Sequence, residues 1–315
     1  MLVVAVLLAM ADRGALVASM RSADLISLTL AFGFLLVALV VNAFRWQVYL
    51  SPLGLAPPMS TTIRLTFVGT FFNAFLPTGF GGDAYKSFRL RHHAASVAPP
   101  LATVFLDRLA GLVGLAVLGL VGTAVRFAAG DGGRVTVAAA LLSLAVPVVF
   151  GTALWLVPRR WSDGEETAGI GSRLRTFARA FAAAGREPRA VRWGTAIGVA
   201  SAALLVVVHA LLARSLAISV PVAALPGIVL IASLMTVVPL TINGLGFREA
   251  AYVWCLGPYG VGHDQALAFA LLVLAMSLAS SAVGGIVYAV SGGEVPAGSG
   301  PVTEDSPRRP GPTPR

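Results

Sequence analysis

Long apolar segments recur along this chain, and they constrain its fold more than any other feature. The clearest is LISLTLAFGFLLVALVVNAFRWQVYL, residues Leu25–Leu50. It is long enough to cross a bilayer as one helix, for which about 20 apolar residues suffice. Because the bilayer interior offers no hydrogen-bonding solvent, such segments must satisfy their backbone groups internally. With 57% hydrophobic and only 12% charged residues, the sequence predicts an all-α polytopic membrane protein.

Further apolar segments predict about seven to eight membrane segments within one transmembrane domain, residues 1–291. They lie near Ile63–Gly82, Pro100–Val125, Val135–Val157, Ala190–Ala213, Ala223–Leu240 and Gln265–Val290. The first apolar run, Met1–Ala11, is too short to cross alone. Residues 292–315 are rich in Pro, Gly and Ser, which predicts a disordered cytoplasmic tail.

Basic residues cluster in two loops, and the positive-inside rule places such loops in the cytoplasm. Residues 158–192 hold eight arginines, and residues 85–93 hold three Lys or Arg residues. Within the longer loop, RLRTFARAFAAAGR predicts an amphipathic surface helix or, equally, an ordinary connector. Arg45, near the end of the Leu25–Leu50 span, is expected to snorkel to the interface. The loops account for the net charge of +9, so we predict no nucleic-acid partner.

The sequence NAFLPTGFGGDAY, Asn73–Tyr85, interrupts the helical pattern with a proline and three glycines. If Leu25–Leu50 ends in the cytoplasm, the chain is cytoplasmic both before Ile63–Gly82 and in the basic loop after it. Ile63–Gly82 then cannot cross once and must turn back within the membrane. A turn at that depth is tolerated only where its backbone groups face protein or water. We therefore expect the break to direct backbone groups and Asp83 towards something polar. The expected break residues are Pro77, Gly79, Gly81 and Gly82.

A second stretch, VVPLTINGLGFREAAY, repeats this order of apolar helix, proline, glycine pair and charge over Val237–Tyr252. Its expected break residues are Pro239, Gly244 and Gly246. Loop charges indicate that the segment Ala223–Leu256 enters and leaves from the outside. Two broken, re-entrant hairpins entering from opposite faces are typical of inverted-repeat transporters with a site near the midplane.

Five ionisable residues lie in or beside the predicted spans, where each costs about 2.5 to 3.5 kcal/mol on insertion scales. They are Asp83, Asp107, Arg108, Arg248 and Glu249. Arg248 is a candidate clamp for a lipid phosphate, because a guanidinium offers two parallel donors. The carboxylates would balance the basic residues or receive a cationic headgroup. Alternatively, pairing of Asp107 with Arg248 and of Glu249 with Arg108 only holds the bundle together.

For other polar residues the sequence predicts less specific roles. Asn73 and Asn243 flank the two breaks, and we expect them to cap exposed backbone or contact a headgroup. His209 lies alone in an apolar run, which favours an interhelical hydrogen bond over proton transfer. No catalytic triad or nucleotide-binding fingerprint is recognisable, and the sequence predicts neither a metal site nor a cofactor.

Three motifs, NAFLPTGFGGDAYKSFRL, VFLDRLAGL and PLTINGLGFREAAY, resemble in this order the transmembrane, or flippase-like, domain of the lysylphosphatidylglycerol synthase family. The resemblance runs from Leu25 to Val290 and implies a domain that moves polar-headgroup lipids between leaflets. The chain has no room for the soluble aminoacyltransferase domain of bifunctional members, so lysyl-lipid synthesis is not implied. Tyr85 and Lys86 stand where many relatives have arginine after Gly-Gly-Asp, which leaves the headgroup preference open.

The sequence therefore favours a flippase for a phospholipid, aminoacyl-lipid or glycolipid, and not an enzyme. Two alternatives stay open. A membrane enzyme would act on a lipid-linked phosphate, with Asp83 or Asp107 as base or metal ligand and Arg248 holding the phosphate. A non-catalytic protein would support a separately encoded enzyme of lipid or glycan biosynthesis. In every case we expect a multi-pass protein of the cell membrane, specifically a bacterial inner membrane, with membrane lipid as its partner.

Overall fold

The computed structural model describes residues 13–75, 80–94, 96–161, 170–237 and 245–291, which form eleven α-helices and no strand. The helices are α1 (Arg13–Arg21), α2 (Leu25–Leu50), α3 (Met59–Phe75), α4 (Gly81–Arg89), α5 (Ala98–Ala128), α6 (Arg134–Trp161), α7 (Ile170–Gly185), α8 (Pro188–Ser215), α9 (Leu225–Val237), α10 (Phe247–Leu256) and α11 (His263–Val290). This confirms the all-α polytopic class.

Five helices of the described chain, α2, α5, α6, α8 and α11, are long and apolar enough to cross a membrane. Their positions agree with the predicted spans. Two interrupted pairs, α3 with α4 and α9 with α10, lie where the two broken hairpins are predicted. The chain is thus a bundle of full-length helices into which two broken helices are inserted.

The first interrupted pair folds back on itself. The backbone of Gly82 in α4 meets the backbone of Gly69 in α3 so closely that a Cβ atom at Gly82 would overlap the Gly69 carbonyl. Gly81 and Gly82 begin α4, as expected of break residues. Pro77 and Gly79 lie outside the described residues.

The second interrupted pair has a different junction. Helix α10 begins after Gly246, whose φ of +96° is a backbone conformation that residues with a side chain rarely adopt. Helix α10 then packs against α9 and α11, with Tyr252 and Cys255 in the apolar core. The predicted break residues Pro239 and Gly244, together with Asn243, lie outside the described residues.

Helices α5 and α11 each contact both interrupted pairs. Helix α5 can also approach α8 closely, because the backbones of Gly114 and Gly198 meet where a Cβ atom would not fit. Helix α11 approaches α3 in the same way, with Gly284 against the carbonyl of Phe67. Glycine contacts between helices thus determine how the helices around the two breaks are placed.

Helix α1 precedes the predicted Leu25–Leu50 span, packs on α11 and buries Leu16. One region differs from expectation. The basic helix α7 does not lie free on a surface, because its buried Phe181 and half-buried Phe177 pack against α5 and α6. The Phe177 and Phe105 rings meet edge to face with centroids 5.7 Å apart. The apolar face of α7 therefore covers protein and not only lipid.

Candidate functional site

Two consecutive residues of α5, Asp107 and Arg108, connect separate groups of polar side chains. Asp107 Oδ1 accepts a hydrogen bond of 2.7 Å from Nε of Arg45. Nη1 of Arg45 donates to Oγ of Ser201 on α8 at 2.8 Å. Arg45 is only 6% exposed, so the expectation that it snorkels to the interface is wrong. Its charge is balanced inside the bundle by Asp107.

Arg108 points to the first interrupted pair. Its Nε lies 2.5 Å from Oδ2 of Asp83, which is buried at the start of α4. Lys86, one turn further along α4, places Nζ 3.3 Å from Oδ1 of the same carboxylate. Lys86 was expected in a cytoplasmic loop, but it is buried with Nζ 4.9 Å from the centre of the Trp46 ring. Asp83 therefore lies between two cations.

The amide of Asn73 caps the first break. Its Oδ1 accepts a 2.8 Å hydrogen bond from the backbone N–H of Gly82. Because Asn73 belongs to α3 and Gly82 to α4, this bond joins the two halves of the pair while satisfying a free N–H at the start of α4. The expected capping role is confirmed for Asn73, and headgroup contact stays a prediction for both Asn73 and Asn243.

Within the described residues, Glu249 at the second break interacts with its own helix end. It is fully buried, and its Oε2 accepts a 2.5 Å hydrogen bond from the backbone N–H of Gly246. Its Oε1 accepts from Nη2 of the adjacent Arg248 at 2.9 Å. The alternative pairing of Asp107 with Arg248 and of Glu249 with Arg108 is therefore wrong: Asp107 pairs with Arg45, and Glu249 pairs with Arg248.

A cavity of about 260 Å³ lies among α2, α5, α8 and α9. Its wall on α2 runs from Leu35 to Arg45, which covers about 15 Å of a membrane core about 30 Å thick. The remaining lining of α2 and α5 is mostly Leu, Ala and Gly. The polar side chains of the lining are Asn42, Arg45, Arg108, Ser201, Ser233 and Thr236. We call this space the central cavity.

The central cavity adjoins both interrupted pairs. Ser233 and Thr236 lie in the last turns of α9, directly before the second break. Arg108 connects the cavity to Asp83 and hence to the first break. Of the predicted site residues, Arg108 lines this cavity, whereas Asp83 and Asp107 do not line it and are connected to it through their ion pairs with Arg108 and Arg45. Arg248 and Glu249 do not line it.

Five polar cavity residues were not assigned to the site from sequence, namely Asn42, Arg45, Ser201, Ser233 and Thr236. One signal was present, because Asn42 and Arg45 stand three residues apart within an apolar span and so share a helix face. Ser201 offered no signal, because small hydroxyl residues are common in membrane helices and often hydrogen-bond their own backbone. Ser201 does so here, to the carbonyl of Gly198.

His209 forms the interhelical hydrogen bond that the sequence favoured. Its Nε2 lies 2.7 Å from the hydroxyl of Tyr252 on α10, and its Nδ1 lies 2.7 Å from the carbonyl of Leu205. Since a carbonyl can only accept, Nδ1 carries the proton and the Tyr252 hydroxyl donates to Nε2. The pair anchors α10 to α8 beside the second break.

The profile of the family described as Lysylphosphatidylglycerol synthase TM region matches residues 1–285 of the chain. No curated protein and no solved structure matches the chain significantly. The match includes both breaks and every residue that lines the central cavity.

Proposed function

Because the chain belongs to the lysylphosphatidylglycerol synthase TM region family, whose name indicates a membrane-lipid function, we propose that it moves a lipid headgroup between leaflets. The observation that carries this proposal is the central cavity, which places two arginines inside a bundle of membrane helices. Charged residues at such depth mark substrate pathways in membrane proteins. A headgroup would pass through the cavity while its acyl chains stay in lipid.

An exchange of ion partners would accompany headgroup binding. The side chain of Arg108 is 35% exposed, whereas that of its partner Asp83 is 4% exposed. A phosphate entering the cavity can therefore approach the guanidinium of Arg108 and take the place of Asp83, which keeps Lys86 as its second partner. This exchange would loosen α4 from α5 and so couple the first interrupted pair to headgroup occupancy.

The second interrupted pair supplies a further proposed contact. Nε and Nη2 of Arg248 both donate to Oε1 of Glu249, at 3.2 and 2.9 Å. We propose that Arg248 binds the anionic part of the headgroup when α9 and α10 rearrange, while Glu249 keeps its bond to the Gly246 backbone. Asp107, through Arg45, and the capping Asn73 complete the proposed site.

We favour transport over catalysis because the three membrane carboxylates of the proposed site are committed to arginines. A general base or a metal-ligating carboxylate would first have to give up its ion pair. The protein would then work beside a separately encoded enzyme that makes or uses the lipid. We place it in the cell membrane, specifically a bacterial inner membrane.

Liposomes containing the purified protein test this proposal. Periodate oxidises the glycerol headgroup of phosphatidylglycerol, and trinitrobenzenesulfonate modifies the amine of phosphatidylethanolamine, in each case only in the outer leaflet. We expect the protein to make inner-leaflet headgroups of at least one lipid reactive over time. Rates equal to those of protein-free liposomes for both lipids would contradict the proposal.

A matched pair of variants locates the pathway. Arg108→Gln should slow headgroup movement roughly tenfold or more, because a charge-assisted hydrogen bond contributes about 1.5 to 3 kcal/mol. Arg126→Gln is the control on the same helix, since Arg126 pairs with Asp131 in the turn after α5 and not with the cavity. Both rates are normalised to folded protein, and equal slowing by the two variants would exclude the cavity as the path.

A further inference from the structure

A second cavity lies between the basic helix α7 and the start of α5. Its volume of about 500 Å³ is within the range of about 300 to 1,000 Å³ that is typical of small-molecule sites. None of the described residues that line it also lines the central cavity. Its lining includes Arg173, Leu174 and Phe177 of α7 and Val97, Ala98 and Leu101 at the start of α5. We call this space the α7 groove.

The walls of the α7 groove are mostly apolar, and one of them is held in place by other rings. Phe177 meets Phe105 edge to face with centroids 5.7 Å apart and stacks on Phe181 with centroids 6.0 Å apart. Leu174 and Val97, by contrast, are exposed. The groove therefore combines a preformed aromatic wall with apolar side chains that an acyl chain can cover.

The only charged side chain in the described lining of the groove is Arg173. Its guanidinium is exposed and has no ion-pair or hydrogen-bond partner among the described residues. The sequence of α7, IGSRLRTFARAFAAAG, contains no carboxylate that could neutralise it from the same helix. The planar donors of a guanidinium match the oxygens of a phosphate group.

The length of α5 places the groove at the level of lipid headgroups. Helix α5 has 31 residues, which correspond to about 46 Å, whereas the hydrocarbon core of a bilayer is about 30 Å thick. The exposed Arg91 lies shortly before its first turn, so this end of the helix extends past the core. Arg173 is thus at the depth of lipid phosphates, and Phe177 faces the depth of acyl chains.

We propose that the α7 groove binds a phospholipid of the surrounding leaflet, with the phosphate on Arg173 and one acyl chain along Leu101 and Phe177. This lipid is a bound partner of the fold and not the transported substrate. The groove recognises the phosphate and the chain, whatever alcohol the headgroup carries. The proposal does not rest on the proposed function, because the groove shares no described lining residue with the central cavity.

Photocrosslinking in liposomes locates the bound lipid. The full chain is reconstituted in phosphatidylcholine with a trace of phosphatidylcholine or diacylglycerol that carries a photoreactive acyl chain, and mass spectrometry identifies the labelled residues. Labelling of the groove is divided by labelling of Leu141 and Val148, exposed apolar residues of α6, which corrects for the amounts of lipid and of folded protein. We expect this ratio to be roughly fivefold higher for phosphatidylcholine than for diacylglycerol, which lacks the phosphate. Equal ratios would overturn the proposal.

A matched pair of arginine variants assigns the phosphate contact. Arg173→Gln should lower the phosphatidylcholine ratio roughly fivefold, to the diacylglycerol level, and leave the diacylglycerol ratio unchanged. Arg189→Gln is the control, because it removes an exposed arginine at the start of α8 that does not line the groove. It should keep the wild-type ratio. An equal loss in both variants would show a response to overall charge and would remove Arg173 from the site.

The variant Ala98→Phe tests the acyl-chain contact. The larger side chain fills the groove but leaves the charge of Arg173 in place. Labelling of Leu101 and Phe177 by both lipids should be lost, while labelling of Leu141 on α6 persists. Wild-type labelling of the groove in Ala98→Phe would show that no chain lies there.

Two further measurements separate this site from others. An excess of inorganic phosphate should not change the labelling of the groove, whereas displacement of the lipid would identify a site for a soluble anion. Arg108→Gln, which alters the central cavity, should also leave the groove labelled, whereas a parallel loss would place the labelled lipid in the transport path. If the groove is labelled as expected but no headgroup crosses liposomes, the proposed transport fails while this inference stands.

Discussion

The two breaks have similar sequences but different interactions. At the first break, Asp83 reaches across to Arg108 on α5, and Asn73 of α3 caps α4. At the second break, Glu249 caps its own helix through Gly246 and pairs with the adjacent Arg248. Among the described residues, the carboxylate of the first break is therefore paired with another helix, whereas the carboxylate of the second, Glu249, has its partners within four residues of chain.

This difference suggests that the two breaks have different roles. A break whose charge is shared with the central cavity responds to what the cavity binds, because a competing phosphate changes its interactions. A break with local partners can move as a unit without leaving a charge exposed to lipid. The following predictions test this comparison, from the largest expected loss of stability to the smallest.

The carboxylates of the two breaks should differ in what their neutralisation does. Asp83→Asn leaves Lys86 and Arg108 without their carboxylate, and we expect a loss of about 3 kcal/mol, the lower end for a broken buried pair because Arg108 is partly exposed. Glu249→Gln can still cap Gly246 and should cost less. Thermal unfolding in detergent gives the stabilities. Headgroup movement per folded protein should fall for Asp83→Asn and not for Glu249→Gln, and equal falls would erase the distinction.

Substitution of Gly82 and of Gly246 should lower stability for different physical reasons. Gly82→Ala inserts a methyl group against the Gly69 backbone, which should lower the free energy of unfolding by about 1 to 3 kcal/mol. The larger side chain of Gly82→Leu should abolish the hairpin. Gly246→Ala forces a residue with a Cβ atom to adopt a positive φ, which should lower the free energy of unfolding by about 1 to 2 kcal/mol. Gly33→Ala is the control, since a Cβ atom there meets no neighbouring atom. Full stability of Gly82→Ala would contradict the close α3 to α4 contact.

The cap at the first break should be separable from the ion pairs. Asn73→Ala removes the acceptor for the Gly82 N–H and should cost about 1 kcal/mol, typical of a lost helix cap. Asn73→Asp keeps an acceptor and should retain most of the stability. Hydrogen exchange of the first amides of α4 provides the readout, with faster exchange expected in Asn73→Ala alone. Unchanged protection would mean that the cap does not hold the hairpin.

The variant Arg248→Lys tests whether the two breaks really differ in their relation to the headgroup. Lysine can still pair with Glu249, so we expect a stability loss of no more than about 1 kcal/mol. It cannot reproduce the planar two-donor fork, so headgroup movement should fall severalfold if Arg248 binds phosphate as proposed. A wild-type rate would restrict Arg248 to its local ion pair. A large fall would show that the second break also serves the headgroup.

Much of the fold could be predicted from the sequence, because the features that specify it are local. The length of an apolar run decides whether it can span a bilayer, and the positions of Leu25–Leu50 and Ala98–Ala128 follow from that length. Glycine and proline mark where a helix stops, which identified Gly82 and Gly246. These features, with the motif order, also identified the family.

The pairing of charges was decided only by the tertiary structure. Arg45 is 62 residues from Asp107 and 156 from Ser201, so no local pattern links them. Their meeting depends on how far each helix is rotated about its axis, which close contacts such as Gly114 against Gly198 determine. The sequence thus marked Asp83 and Asp107 as costly in the membrane but not Arg45 and Lys86, which the fold also buries. Only helix packing decided which of them would neutralise one another and which would face a cavity.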